Sequence, residues 1–188
     1  MIFTPLWFWF LKIFCCYQRP ETKNLTNKKN LQKFQLMKKI STKNLNRKKT
    51  LVLDLDETLI HSSPYKLRNY DFTISMFIDE NVRSTFYVAE RPFLHQFMNE
   101  VTKWYDVIIF TASLKTYADL VIDKVDKSNK VIKRYYRDSC LPSKDGQYIK
   151  DLSILKIDLS RCIIVDNSEI SFSKNKENGI PIRSVSFN

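Results

Sequence analysis

Two aspartates set two positions apart, Asp54 and Asp56 in LVLDLDET, have the type and spacing for acid–base or phosphoryl chemistry. They close a short leucine- and valine-rich run, LVLDL (51–55), that reads as a buried strand. The arrangement recurs along the chain. DVIIF (106–110) runs into Thr111 and Ser113, and RCIIV (161–165) runs into Asp166, Asn167 and Ser168. Ligands of open α/β sheets bind at the carboxyl ends of strands, so three distant segments would deliver these groups to one crevice. Extended chain would place Asp54 and Asp56 on one face. Once converged, Asp54, Asp56 and Asp166 would resist ionising together. A Mg2+ ion with oxygen ligands relieves that conflict, and a phosphate completes its shell. Lys150, in QYIKDLS, and Thr111 would then offset and hydrogen-bond the phosphate charge. The plainer reading makes Asp56 a helix N-cap and Asp54 a solvated strand end.

Elements that could position these groups are legible on either side. DFTISMFID (71–79) and VRSTFYVAE (82–90) alternate apolar and polar residues around Glu80-Asn81, a hairpin pattern. RPFLHQFMNEVTK (91–103) sets Phe93, Phe97 and Val101, with Leu94 and Met98, at helical spacing, and Pro92 suits a first turn. LKTYADLVIDKV (114–125) reads as a second amphipathic helix and PIRSVSF (181–187) as a fourth strand. Buried strands alternating with helices predict a parallel sheet with right-handed crossovers. No internal repeat is evident.

The 188 residues allow one domain, and 44% apolar with 27% charged residues is enough for a packed core. Two glycines and six prolines exclude collagen-like and Gly/Pro-rich disordered classes. Cys15, Cys16, Cys140 and Cys162 form no CxxC pair, which argues against a zinc site or disulfide scaffold and for a reducing compartment. A cysteine-based phosphatase needs arginine six positions beyond its cysteine. Gly146 and Ser168 stand there instead, so Cys140 and Cys162 read as small buried hydrophobes. His61 and His95 are too few for a histidine-rich dimetal centre and read as structural.

Charge divides the chain. Of 31 Lys and Arg residues, 12 lie in 1–50, whereas Glu21 alone of the 20 acidic residues does. The formal +11 therefore belongs to the N-terminal arm, and the folded part carries no basic excess that would point to specific nucleic-acid binding. Residues 1–20 are a hydrophobic membrane-anchor candidate. Within them MIFTPLWFWFLKIFCCY (1–17) lacks the basic flank and cleavage site of a secretory signal and is short of the roughly 20 apolar residues of a span. Residues 21–50, with ten Lys/Arg, read as a flexible linker. An aromatic segment, Cys15 and Cys16 open to acylation, and a polybasic stretch together suit an interfacial anchor. The alternative is that the hydrophobic start packs on the domain.

The blocks LDLDETLIHS (53–62), AERPFLHQF (89–97), VIIFTASLKTYAD (107–119), YRDSC (136–140), YIKDLS (148–153) and CIIVDNS (162–168) occur in order over 51–188. They resemble the haloacid-dehalogenase superfamily, in particular the phosphatases acting on the RNA polymerase II C-terminal domain. The hydrophobic N-terminus is similar in architecture to the nuclear-envelope (Dullard-type) branch. The resemblance implies an α/β fold: a Rossmann-like parallel sheet flanked by helices, with a small antiparallel β insertion and no large cap. It implies a Mg2+-dependent protein serine/threonine phosphatase working through an aspartyl phosphate. Asp54 would be the nucleophile and Asp56 the general acid and base, with Thr111 and Lys150 gripping the phosphoryl oxygens. The metal would be held by Asp54, the Asp56 carbonyl and Asn167, with Asp166 beside it holding Lys150 or an outer water.

The implied partners are a phosphorylated protein and a membrane contacted through 1–17 and the basic linker. The catalytic domain is expected to be monomeric, at the cytosolic or nucleoplasmic face of the nuclear envelope or endoplasmic reticulum; the alternative is nucleus or cytoplasm. Glu169 stands where the family commonly has proline. The family's C-terminal helix is expected to be missing from 51–188; the alternatives are that a partner covers the edge it leaves, that the chain packs differently, or that the sequence is incomplete. Two other functions share the fold: a tethered binding module without catalysis, as in a mitochondrial inner-membrane translocase subunit, and a phosphatase of a non-protein substrate.

Overall fold

The computed structural model describes residues 48–79 and 82–185. The candidate anchor over 1–20 and all but the last residues of the 21–50 linker lie outside these. Five parallel strands form the main sheet: β1 (Lys49–Leu53), β5 (Tyr105–Phe110), β6 (Val131–Tyr135), β9 (Cys162–Asp166) and β10 (Gly179–Pro181), ordered β10-β9-β1-β5-β6. The three apolar runs read as buried strands are thus its three central members. Side chains alternate across a strand. Val52, Ile108, Phe110 and Ile164 of one parity pack with Leu152, Leu155, Cys162 and Phe172. Leu51, Leu53, Val107 and Ile109 of the other parity are buried as well, so both faces are covered, as parallel sheets require.

Between β1 and the first helix the chain makes a second, antiparallel sheet, ordered β2-β4-β3: β2 (Ile60–Ser63), β3 (Phe72–Asp79) and β4 (Val82–Glu90). The hairpin read from the sequence is β3–β4, paired from Phe72↔Val88 to Asp79↔Val82. The third strand, β2, was not anticipated. The architecture is the expected one, a Rossmann-like α/β sheet with a small antiparallel insertion and, among the described residues, no large cap. A two-stranded sheet of β7 (Leu141–Pro142) and β8 (Tyr148–Ile149) completes it.

Helix α1 (Leu94–Trp104) buries Leu94, Met98, Val101 and Thr102, and α2 (Lys115–Val125) buries Ala118, Val121, Ile122 and Val125, the spacing of one helical stripe. The sequence placed Pro92 and Phe93 in the first turn of α1, but that helix starts later. Phe93 is left-handed (φ 67°) and 54% exposed, and the Leu94 amide bonds the Arg91 carbonyl in a tight turn. Arg91 causes the delay. Its amide bonds the Leu59 carbonyl, and its guanidinium donates to the carbonyls of Glu57, Thr58 and Arg183. The fourth expected strand also moves, from 181–187 to Gly179–Pro181. Beyond Pro181 the Val185 amide bonds the Glu57 carbonyl, which draws the chain under the acidic loop instead of along β9.

Candidate active site

β1, β9 and β5 end side by side, and their last residues turn polar at one edge of the sheet. Asp54 follows β1, Asp166 closes β9, and Thr111 follows β5. Lys150 reaches this edge from the end of β8, fixed by a 2.6 Å bond from its amide to the Ser171 carbonyl. Its ammonium lies 2.5 Å from Asp54 Oδ1 and 2.6 Å from Asp166 Oδ2. Asp54, Asp166 and Lys150 are 5%, 1% and 1% exposed. A lysine so buried is tolerable only as a paired cation. Burial works against its charge, but Asp54 and Asp166 outweigh burial and raise its pKa. Asp166 is pushed up by burial and then by Asp54, against the pull of Lys150 and the Ser168 amide.

Asp56 lies beside this cluster, with different partners. Its Oδ1 accepts from Tyr117 Oη at 2.7 Å; its Oδ2 accepts from Ser113 Oγ at 2.8 Å, with Thr111 Oγ1 at 3.5 Å. Burial raises its pKa, the hydroxyls of Tyr117 and Ser113 lower it, and nearby Asp54 raises it again, for a net rise. A carboxyl held this way takes and gives a proton more readily near neutrality than a solvated aspartate. The capping alternative does not hold: residues 57–59 form a turn with Glu57 left-handed, not a helix. Nor is Asp54 solvated.

Asn167 is oriented by Thr58, whose hydroxyl donates to Asn167 Oδ1 at 3.2 Å and accepts from the Asn167 amide at 3.2 Å. The Asn167 side-chain amide donates to Ser184 Oγ. Asp54 Oδ2 has no hydrogen-bond partner among the described residues, whereas Asp166 uses both oxygens, on Lys150 and on the Ser168 amide. With Asp54, Asp56 and Asp166 ionised against one lysine, the edge would carry net negative charge, which a dianionic phosphate could approach only with a further cation. Among the described residues no group of three or more His, Cys, Asp or Glu side chains is arranged to enclose a metal. The set expected for Mg2+ requires none: one carboxylate, one amide oxygen and one backbone carbonyl. These hard oxygen donors fit the ion: the Asn167 oxygen is oriented by Thr58, and Asp54 Oδ1 keeps lone-pair capacity beside Lys150.

All the residues singled out in the sequence therefore gather at this edge: Asp54, Asp56, Thr111, Lys150, Asp166 and Asn167. Nothing in the sequence marks Tyr117 or Thr58 as part of a site. Tyr117 reads there as one more position on an amphipathic helix, and nothing local marks its hydroxyl. His61 pairs with Glu57 and His95 with Glu90. Cys162 is buried in the core, its thiol pushed up to about 11 by burial; Cys140 is half-buried and its thiol is also raised, chiefly by burial.

The description of NLI interacting factor-like phosphatases matches residues 49–187. The chain is 45% identical over 148 residues to the CTD nuclear envelope phosphatase 1 homolog of Drosophila melanogaster, covering 73% of this chain and 60% of that protein. It is 46% identical over 136 residues to a probable C-terminal domain small phosphatase of Dictyostelium discoideum, covering 72% of this chain and 44% of that one. It thus spans less than two thirds of either relative. Among solved structures, Fcp1, an essential RNA polymerase II CTD phosphatase, superposes with a TM-score of 0.62 at 20% identity, covering 80% of this chain and 45% of that one. That likeness concerns the fold alone. The match over 49–187 shows that this chain belongs to the family of NLI interacting factor-like phosphatases.

Proposed function

We propose that this chain is a Mg2+-dependent phosphatase of phosphoserine and phosphothreonine in proteins, with Asp54 as nucleophile and Asp56 as proton donor and acceptor. The observation that carries this reading is the contrast between adjacent carboxyls. Asp54 is paired to a buried ammonium, keeps one oxygen free and is suited to attack. Asp56 is raised by burial and held by hydroxyls alone, so it is suited to carry a proton.

In the first step Asp54 Oδ2 bonds to phosphorus, the bond to the seryl or threonyl oxygen breaks, and Asp56 gives that oxygen its proton. In the second, Asp56 takes a proton from water as the water oxygen bonds to phosphorus. The Asp54–phosphorus bond then breaks and phosphate leaves. Lys150 and Thr111 compensate charge on the transferred group, and Asp166 keeps Lys150 aimed. Asp54, the Asp56 carbonyl and Asn167 would hold Mg2+, which, when bound, neutralises phosphoryl charge.

A protein substrate is supported by the small size of the insertion: among the described residues no large cap covers the edge, which leaves it open to a chain segment. A membrane location for 1–50 is supported by its composition and by the names of the nuclear-envelope relatives. No helix among the described residues is long and apolar enough to cross a membrane.

The test is turnover of a phosphoserine peptide by the full chain with Mg2+, with EDTA, and as Asp54→Asn. The expected outcome is metal-dependent release of phosphate that falls by about 10^3-fold or more in the variant. Undiminished turnover by Asp54→Asn would remove the nucleophile from the scheme.

A further inference from the structure

One hydroxyl links the insertion sheet to the acidic edge. Tyr117 Oη, on α2, stands 2.7 Å from Asp56 Oδ1 and 2.7 Å from Ser62 Oγ on β2. Its ring meets Phe86 of β4 edge-on, with centroids 5.8 Å apart and planes at 72°. Ser62 and Phe86 both belong to the antiparallel insertion.

A carboxyl terminus is soft about its last torsion, and a single hydrogen bond leaves it free to swing. Ser113 alone, on the loop that leads into α2, would leave Asp56 in that state. A second donor on the other oxygen fixes the carboxyl plane. Each oxygen then keeps lone-pair capacity for one further partner, which the leaving oxygen or a water can take. Tyr117 is a long lever, so its own aim must be set, and Ser62 and Phe86 set it from two strands. Burial pushes the phenol up, so it stays a neutral donor at working pH.

We propose that Tyr117 is a positioning residue for the proton transfer, holding the Asp56 carboxyl in its reactive orientation and itself held by Ser62 and Phe86 of the insertion sheet. The inference rests on the phosphatase reading above. It gives the insertion a task inside the catalytic edge, separate from any contact with substrate.

The experiment compares full-length wild type, Tyr117→Phe and Ser62→Ala on a phosphoserine peptide, whose leaving oxygen needs a proton, and on dinitrophenyl phosphate, whose leaving group does not. Tyr117→Phe keeps the ring on Phe86 and removes only the hydroxyl. It should lower kcat/KM, which reads the first step alone, by roughly 10- to 100-fold on the peptide, within what misaligned acid catalysis costs. On the dinitrophenyl ester the loss in kcat/KM should stay within about 3-fold, because the general acid contributes little to that first step. Ser62→Ala should show the same selectivity with a smaller loss, and it carries the test should Tyr117→Phe fold poorly. In an Asp56→Asn background, Tyr117→Phe should add nothing further.

Equal losses on both substrates, no loss on the peptide, or additivity with Asp56→Asn would each overturn the proposal. A wild type that hydrolyses neither substrate would sink the phosphatase reading itself, an outcome distinct from these three.

Discussion

In the parallel sheet Leu51, Val52 and Leu53 are all fully buried, whereas the eight residues of β3 in the insertion bury Ile74 alone. A parallel sheet is covered on both faces and strips water from most residues of its central strands. An antiparallel one commonly covers a single face. The end of the insertion goes further, with Phe77, Ile78 and Val82 between 53% and 66% exposed. Charges at the edge of the parallel sheet are consequently desolvated and must be paired, as Asp54, Lys150 and Asp166 are. The insertion reaches the same edge with neutral hydroxyl and ring contacts, through Ser62, Phe86 and Tyr117. On the proposed scheme, the parallel sheet supports the charged cluster, and the less buried one steadies the Asp56 carboxyl.

Lys150→Met tests the parallel side most severely. It leaves Asp54 and Asp166 buried without their cation and should cost about 3–5 kcal/mol in urea unfolding. Adding Asp166→Asn should recover part of that loss; no recovery would mean that lysine packing, not charge pairing, matters there.

Arg91→Ala cuts the joint between the regions by freeing the carbonyls of Glu57, Thr58 and Arg183. A loss of about 1.5–3 kcal/mol is expected from its charge-assisted bonds, read as a lower urea midpoint. A change under about 0.5 kcal/mol would show the two regions to be joined elsewhere.

Asp119, on the outer side of α2, offers a milder contrast. Burial works against its charge, but Lys115, Tyr136 and Arg134 outweigh that and hold its carboxyl at about 2. The folded value lies below the unfolded one, so this contribution is present above about pH 4 and is lost as pH falls toward 2. The site is well solvated, so it amounts to under about 1 kcal/mol. Asp119→Asn should therefore lower stability at pH 6 and converge with wild type near pH 2 in acid-unfolding curves. Smallest of all, Phe77→Ser at the exposed end of the insertion should move the melting free energy by no more than about 0.5 kcal/mol. A larger loss would show that the insertion's end is packed, and would weaken the contrast between the sheets.

The central strands were legible because burial on both faces forces consecutive apolar residues: VIIF and CIIV announce themselves. β6 escaped notice because VIKRY lies toward the sheet's edge and keeps its charges, and β7 and β8 are two residues each. The first turn of α1 was misplaced because the bonds that fix Arg91 come from residues 57–59 and 183, far away in sequence.

The amino-acid sequence by itself determined which strands lie in the core and marked the polar residues that follow them. Strand burial and an aspartate pair leave local patterns, and the ordered blocks carry the family resemblance. Tertiary structure alone decided the partnerships. Lys150 pairs with Asp54 across 96 positions, and Tyr117 bonds Asp56 across 61. Such pairings depend on how strands and helices stack in space, and no spacing along the chain records them.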